Sequence, residues 1–248
     1  MKVFVGTSGW QYSHWKGKFY PQNLKPENFL SFYSKHFPSV EVNSSFYHFI
    51  RKETFEKWRE KISDKNFVFA LKLHRLFTHL RKLKLKKEDE KLLEEFLKNA
   101  SFLKENLGPF LIQFPPSFKN KEGLWNFIKI FKKISKKIFK KMPRIALEVR
   151  NQGLINEEIF ELFKKEKVAF VISDSLQWPT KIVRTTDFVY VRFHGKPELF
   201  VSPYSREELK KYAMEIKRLK PRFLYAYFNN DARGYAIDNA KEFKELLA

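Results

Sequence analysis

Along this chain, short apolar runs alternate with longer stretches in which apolar residues recur every three or four positions. Eight of the runs read as strands: Val3–Thr7, Val40–Asn43, Phe67–Leu73, Phe110–Phe114, Ile145–Val149, Val168–Ser173, Phe188–Phe193 and Phe223–Phe228. The amphipathic stretches read as helices over Glu27–His36, Thr54–Lys61, Glu88–Glu105, Gly123–Lys137, Asn156–Lys165, Ser205–Arg218 and Tyr235–Leu247. Local chemistry marks several helix starts. Pro26 stands where its fixed φ suits a first turn. Asn156 caps the helix that follows it, with Glu157 and Glu158 at the positive end of the helix dipole. Ser205 and Glu208 have the spacing of a capping box. Between the sixth and seventh strands only Ser175–Thr186 remains, with Pro179 inside it, which predicts a loop or a single turn.

The alternation continues without a glycine- or proline-rich linker. It predicts one α/β domain over 1–248, a single (β/α)8 TIM-type barrel with a short or irregular connection between strands six and seven. An open doubly wound sheet is the alternative. It usually carries a glycine-rich turn after its first strand, and Gly6-Thr7-Ser8-Gly9 lacks that spacing.

A barrel places its chemistry at the C-terminal strand ends. The stretch Asp187–Gly195 has that form: Tyr190, Arg192 and His194 share one face, Val189, Val191 and Phe193 the other, and the basic residues come at its end. Three further pairs stand two residues apart at strand ends: Glu41/Asn43, Lys72/His74 and Glu148/Arg150. One reading is a salt-bridge lattice, such as Glu148 to Arg192, that plugs the top of the barrel. So many charges exceed what plugging requires, and a site is the favoured reading. Its candidate catalytic residues are Glu41 and Glu148 as base and Lys72 and His74 as acid or charge stabiliser. Candidate ligand-binding residues are Trp10, Tyr12, Asn43, Gln113, Arg192, His194, Tyr227, Asn229 and Asn230. His14, His36, His48 and His79 read as loop or helix residues, with His79 the leading exception. The turn Asn229–Gly234, with Arg233 in it, reads equally as an anion site at a helix N-terminus or as an ordinary capped turn.

Composition removes some options. Cysteine is absent, so disulfides, thiolate ligands and a cysteine nucleophile are excluded. Neither HExxH nor a Gly-x-Ser-x-Gly elbow occurs, so the metal signal is weak, no metal ligand is assigned, and no motif names a cofactor. The apolar run at the N-terminus is too short for a signal peptide and no stretch reaches the ~18 apolar residues of a membrane span. A cytoplasmic protein without a membrane partner is expected. The formal charge of +21 invites a nucleic-acid partner. Most of the excess, however, is lysine crowded onto two helical segments. In residues 125–141, Phe127, Ile128, Phe131 and Ile134 alternate with Lys129, Lys132, Lys133, Lys136 and Lys137, a pattern that reads as a solvated outer face. The expected partner is a small anionic ligand, with nucleic acid kept open.

Several motifs together carry a family resemblance. Gly6-Thr7-Ser8-Gly9-Trp10 with Tyr12, Trp15 and Phe19-Tyr20-Pro21, then Glu41-Val42-Asn43-Ser44-Ser45-Phe46-Tyr47, resemble the YecE-like domain of unknown function 72 family. So do Leu111–Phe118, Val191-Arg192-Phe193-His194-Gly195, and Tyr227–Asp231 with Ala236, Asn239 and Ala240. The resemblance covers nearly the whole chain and implies a TIM-type barrel. It carries no established reaction; its analogies run to sugar isomerases and to endonuclease IV-like, metal-dependent phosphodiesterases. In the second, Glu41, His74, Glu148, Asp174 and His194 would cluster around a metal. A non-catalytic binding module is the third reading. At Glu148-Val149-Arg150-Asn151-Gln152 the chain departs from the family, which usually has a histidine after Glu-x-Arg.

Overall fold

The computed structural model describes residues 1–248. Its eight strands are β1 (Lys2–Thr7), β2 (Ser39–Val42), β3 (Val68–Lys72), β4 (Leu107–Gln113), β5 (Ile145–Glu148), β6 (Ala169–Asp174), β7 (Phe188–Phe193) and β8 (Phe223–Phe228). All pair in parallel, in the order β1-β8-β7-β6-β5-β4-β3-β2. Each strand thus lies beside its sequence neighbour, and the sheet curls into a nearly closed TIM-type barrel.

Both faces of such a sheet are covered, which is why its strands read as continuous apolar runs. One face packs on the helices: Val5, Val189, Val191 and Phe193 belong to the large outer core. The other fills the barrel with a small cluster that includes Phe4, Ala146, Phe188, Tyr190, Tyr225 and Tyr227. Three of these are tyrosines, so the interior must also satisfy hydroxyls. Tyr190 donates to Glu41 at 2.7 Å, Tyr227 lies 2.6 Å from Ser39 Oγ, and Tyr225 accepts from Arg144 at 3.2 Å.

The helices are α1 (Phe29–Tyr33), α2 (Ser44–Tyr47), α3 (Lys52–Glu60), α4 (Lys87–Ala100), α5 (Lys121–Ile138), α6 (Glu157–Lys165), α7 (Arg206–Arg218) and α8 (Tyr235–Leu247). The caps read from the sequence form. Asn156 Oδ1 accepts from Ile159 N at 3.1 Å, and Ser205 and Glu208 satisfy each other's backbone N–H. The first helix is shorter than its periodicity predicts, a 3-10 turn at Pro26–Asn28 running into α1. The Glu88–Glu105 helix breaks after Ala100 into a 3-10 turn, Ser101–Asn106, containing Lys104 at φ 50°. Four short elements lie outside the sequence reading: α2, a π-helical turn at Leu76–Leu80, and 3-10 turns at Ser13–Trp15 and Gln152–Leu154. No helix separates β6 from β7. Lys129, Lys133, Lys136 and Lys137 are exposed on α5 while Phe127, Ile128, Phe131 and Ile134 are buried, so those lysines form a solvated face.

The seam between β1 and β2 is the weak point of the barrel. Its backbone pairing shrinks to one bridge, Ser8–Glu41. Tyr33 of α1 fills the gap: its hydroxyl accepts from Thr7 N at 2.9 Å and donates to Ser39 O at 3.0 Å. Gly6 makes room for this, since a Cβ there would lie 1.9 Å from Ser39 O and 2.8 Å from the Tyr33 hydroxyl.

Candidate functional site

At the C-terminal end of the barrel, charges from β2, β5 and β7 meet beneath the surface. Arg192, next to last in β7, has its side chain inside the barrel, 1 % exposed. Its Nε and Nη2 donate to Glu41 at 3.0 and 2.8 Å, and its Nη1 donates to Glu148 Oε2 at 2.6 Å. Neighbours occupy the remaining carboxylate positions. Ser8 and Tyr190 each donate to Glu41 at 2.7 Å. Arg150 Nε and Ser173 Oγ donate to Glu148 Oε1 at 2.6 and 3.1 Å. Burial alone would raise both carboxyl pKa values. For Glu41 the Arg192 charge and its hydrogen bonds outweigh burial; for Glu148 the charges of Arg150 and Arg192 do, and both stay below the ordinary carboxylate range. Burial would lower Arg192, but Glu41 and Glu148 hold it above its ordinary value. The foreseen lattice therefore exists: two ionised carboxylates clamp one guanidinium.

His194 lies behind the lattice. Asn229 donates to its Nδ1 at 3.1 Å, which leaves the proton of a neutral ring on Nε2, 3.7 Å from Glu148 Oε1. Burial, and then the Arg192 charge, push its pKa down to about 4.

Over the lattice opens a cavity of about 760 Å³. Lys72, Arg75, Arg150 and Arg192 bring positive charge to its wall, and Asp231 is the one carboxylate there. The Lys72 ammonium sits 4.0 Å from the centre of the Phe46 ring and has no carboxylate within 4.0 Å. Burial, reinforced by Arg192, lowers its pKa to about 7, against the raising influence of Glu148 and Glu41. The Arg150 guanidinium stacks on Trp178 at 3.7 Å. On the opposite side, His14 Nε2 lies 3.1 Å from Asp231 Oδ2, and Trp15 Nε1 donates to Asp231 Oδ1 at 2.7 Å. Burial raises the Asp231 carboxyl to about 6, opposed by the Trp15 hydrogen bond and by His14. Exposed apolar side chains, Tyr47, Leu80 and Phe200, stand on the rim.

Of the residues singled out from the sequence, Tyr12, Asn43, Lys72, Gln113, Arg192 and Asn229 line this cavity. Glu41, Glu148 and His194 support it from below. Four others lie elsewhere. Trp10 packs edge-on against Trp58 and Phe69. His74 stacks on Phe49, its Nδ1 accepting from Leu76 N at 3.1 Å. Tyr227 is held inside the barrel, and Asn230 donates to Ser202 O and Asn239 Oδ1. Arg233 is exposed, and the start of α8 is faced by Lys18, which donates to Gly234 O at 3.1 Å and pairs with Asp238. His14, Arg75 and Asp231 are cavity residues that strand-end reading missed; His79, the leading exception, lies in the wall.

The five residues of the metal reading do not converge. Glu41 and Glu148 are spaced by Arg192, His74 faces Phe49, and Asp174 turns outward to Tyr212 and Lys196. No three His, Asp or Glu side chains are placed to hold a metal ion. No helix is long and apolar enough to cross a membrane.

Comparisons with known proteins agree with this architecture. The model of the family described as protein of unknown function DUF72 matches residues 4–248. The UPF0759 protein YunF of Bacillus subtilis is 28% identical over 276 residues, covering 99% of this chain and 94% of YunF. A DUF72 family protein of Thermotoga maritima superposes with a TM-score of 0.86 at 30% identity, covering 100% of this chain and 99% of that one. At the level of the fold alone, the barrel is similar to D-psicose 3-epimerase of Clostridium cellulolyticum H10, with TM-score 0.59 at 11% identity, covering 100% of this chain and 96% of that one. A sugar phosphate isomerase/epimerase of Parabacteroides distasonis gives TM-score 0.56 at 15%, covering 100% and 94%, and SacUVDE gives 0.59 at 12%, covering 99% of each. The motifs, the matched span and the shared barrel place the chain in one family: it belongs to DUF72.

Proposed function

We propose that this protein is an enzyme that binds a small phosphorylated sugar- or nucleotide-like ligand in the C-terminal cavity and moves a proton on it. The observation that carries the reading is the unmatched charge of the wall: Lys72 and Arg75 have no carboxylate within 4.0 Å, whereas Arg150 and Arg192 are matched from below by Glu148 and Glu41. A cation held out of water without a counter-charge is costly, and a ligand phosphate supplies the missing charge. The Arg150 guanidinium, fixed by Glu148 and Trp178, offers planar donors suited to phosphate oxygens. The similarity in fold to sugar epimerases agrees with this class of ligand and gives it only an analogy.

Lys72, with its pKa near neutrality, serves as the proton donor, and a bound phosphate shifts it toward the charged form. Glu41 and Glu148 are better suited to holding Arg192 than to accepting a proton, since every carboxylate oxygen is already engaged. The base in this reading is His14. A proton on Nε2 facing Asp231 leaves the Nδ1 lone pair to accept one.

The test is calorimetric titration with ribose 5-phosphate, fructose 6-phosphate and AMP beside their unphosphorylated counterparts. Phosphate-dependent binding that disappears in Lys72→Met and Arg150→Met is expected. Folded variants that bind as the parent does would sink the reading. Incubating the bound compound in deuterium oxide then separates chemistry from mere binding. Carbon-bound deuterium marks proton transfer; its absence leaves the binding module, which the exposed rim of Tyr47, Leu80 and Phe200 favours.

A further inference from the structure

The opposite end of the barrel holds a second cation-lined cavity, of about 750 Å³, between the N-terminal ends of β4, β5, β7 and β8. Lys104, Lys141, Arg144, Lys167 and Arg222 border it, and none of them forms an ion pair within 4.0 Å. Asp187 is the one acidic residue in the lining. A sixth cation there, Lys164, is already engaged by Glu161 and Glu157.

Arg144 is the centre of the arrangement. It is only partly exposed, and its guanidinium lies 4.0 Å from the centre of the Phe223 ring and 5.8 Å from that of Phe188. Its side chain makes one hydrogen bond, to the Tyr225 hydroxyl. Stacking therefore fixes the plane of the group while most of its five N–H donors stay available, which is the preorganisation that favours anion recognition by arginine. The aromatic surface stabilises the cation only modestly and does not neutralise it. The lysines stand on the short connections around this centre, so several positive charges face one space. A single phosphate would leave most of them unmatched.

We propose that this N-terminal cavity is a second ligand site, independent of the C-terminal one, that takes a compound carrying two or more adjacent phosphate groups. Arg144 provides the oriented donors and Lys104, Lys141, Lys167 and Arg222 the surrounding charge. Phe139 and Phe223, both only partly buried, give it an apolar wall on which a nucleobase can lie. Because catalytic groups of these barrels gather at the other end, the site is one of binding and not of turnover.

The test is calorimetric titration of the full-length protein with tripolyphosphate, ATP and inorganic phosphate at about 0.15 M salt, where surface attraction is screened beyond about 8 Å. Measured in Lys72→Met, whose C-terminal cavity is expected not to take phosphate, saturable one-to-one binding of tripolyphosphate is expected, with inorganic phosphate at least about tenfold weaker. ATP binding tighter than tripolyphosphate would identify a nucleotide as the ligand; equal affinities would identify the polyphosphate chain. The variant pair Lys141→Ser with Lys167→Gly should weaken binding at least about tenfold. Lys167 has φ 50°, which glycine accepts freely, so the fold is spared. The control pair Lys133→Ser with Lys136→Ser removes as much charge from the outer face of α5. An equal loss there would reduce the effect to general attraction and overturn the proposal. So would a loss in Lys72→Met, which would move the binding to the other end, or no saturable binding at all.

Discussion

The two ends of this barrel hold cavities of nearly equal size, each bordered by several cations and one carboxylate, yet they hold their central arginine in different ways. At the C-terminal end Arg192 is buried and clamped by Glu41 and Glu148. At the N-terminal end Arg144 is half-buried and rests on aromatic rings. The first arginine is neutralised by the protein and the second is not. A charge that the fold already matches belongs to structure; one left unmatched beside a cavity is available to a ligand. By that criterion the cations to watch are Lys72 and Arg75 at one end and Arg144 at the other.

Removing the two arginines tests the contrast most severely. Arg192→Met strands two buried carboxylates and should cost about 3–5 kcal/mol in denaturant unfolding. Adding Glu41→Gln and Glu148→Gln should recover part of the loss. Next in size, Lys72→Met should stabilise the protein on the order of 1–3 kcal/mol at pH 7, because a desolvated amine without a partner disappears. The sign follows from its lowered pKa. The penalty is fully present below about pH 7 and fades as pH rises toward the unfolded value of 10.5. The stabilities of variant and parent should therefore converge between pH 7 and 10.5, and a constant difference would contradict the burial of Lys72. Arg144→Met removes one hydrogen bond, to the Tyr225 hydroxyl, and no ion pair, so about 1 kcal/mol is expected. A loss as large as that of Arg192→Met would erase the distinction between the two ends. Smallest, Lys167→Gly should raise stability by up to about 1 kcal/mol by relieving a left-handed backbone. Lys167 closes α6 in the position glycine usually takes, with Val168 N donating to Phe163 O and Lys167 N to Lys164 O.

Periodicity and caps were enough to read the barrel, since each strand and most helices carry their own pattern. Strand ends were legible only as far as the strand continued. Arg192 shares the inner face with Tyr190 because β7 runs to Phe193. The same alternation fails for Lys72 and His74: β3 ends at Lys72, so His74 leaves the sheet and turns onto Phe49. Likewise β1 ends at Thr7, and Gly9 at φ 106° swings Trp10 into the core. Beyond β8, Asn229 stays at the cavity while Asn230 binds Asn239. The His14–Asp231 pair joins residues 217 positions apart, and no local pattern announces it. Short elements such as α2 and the π turn, formed by packing around the mouth, were equally silent.

The seam between β1 and β2 gives the lattice a further role. Glu41 lies at its only backbone bridge, and its carboxylate is tied to Ser8 of the facing segment and to Arg192 across the barrel. The same ion cluster that underlies the cavity is thus, together with the Tyr33 hydroxyl, the clasp of a cylinder whose edge lacks a continuous backbone ladder. Opening of the barrel should begin there, with backbone amides of β2 exchanging with solvent deuterium before those of β7 and β8. A ligand that tightens the hold of Arg192 on Glu41 would register as slower exchange along the seam beneath the cavity.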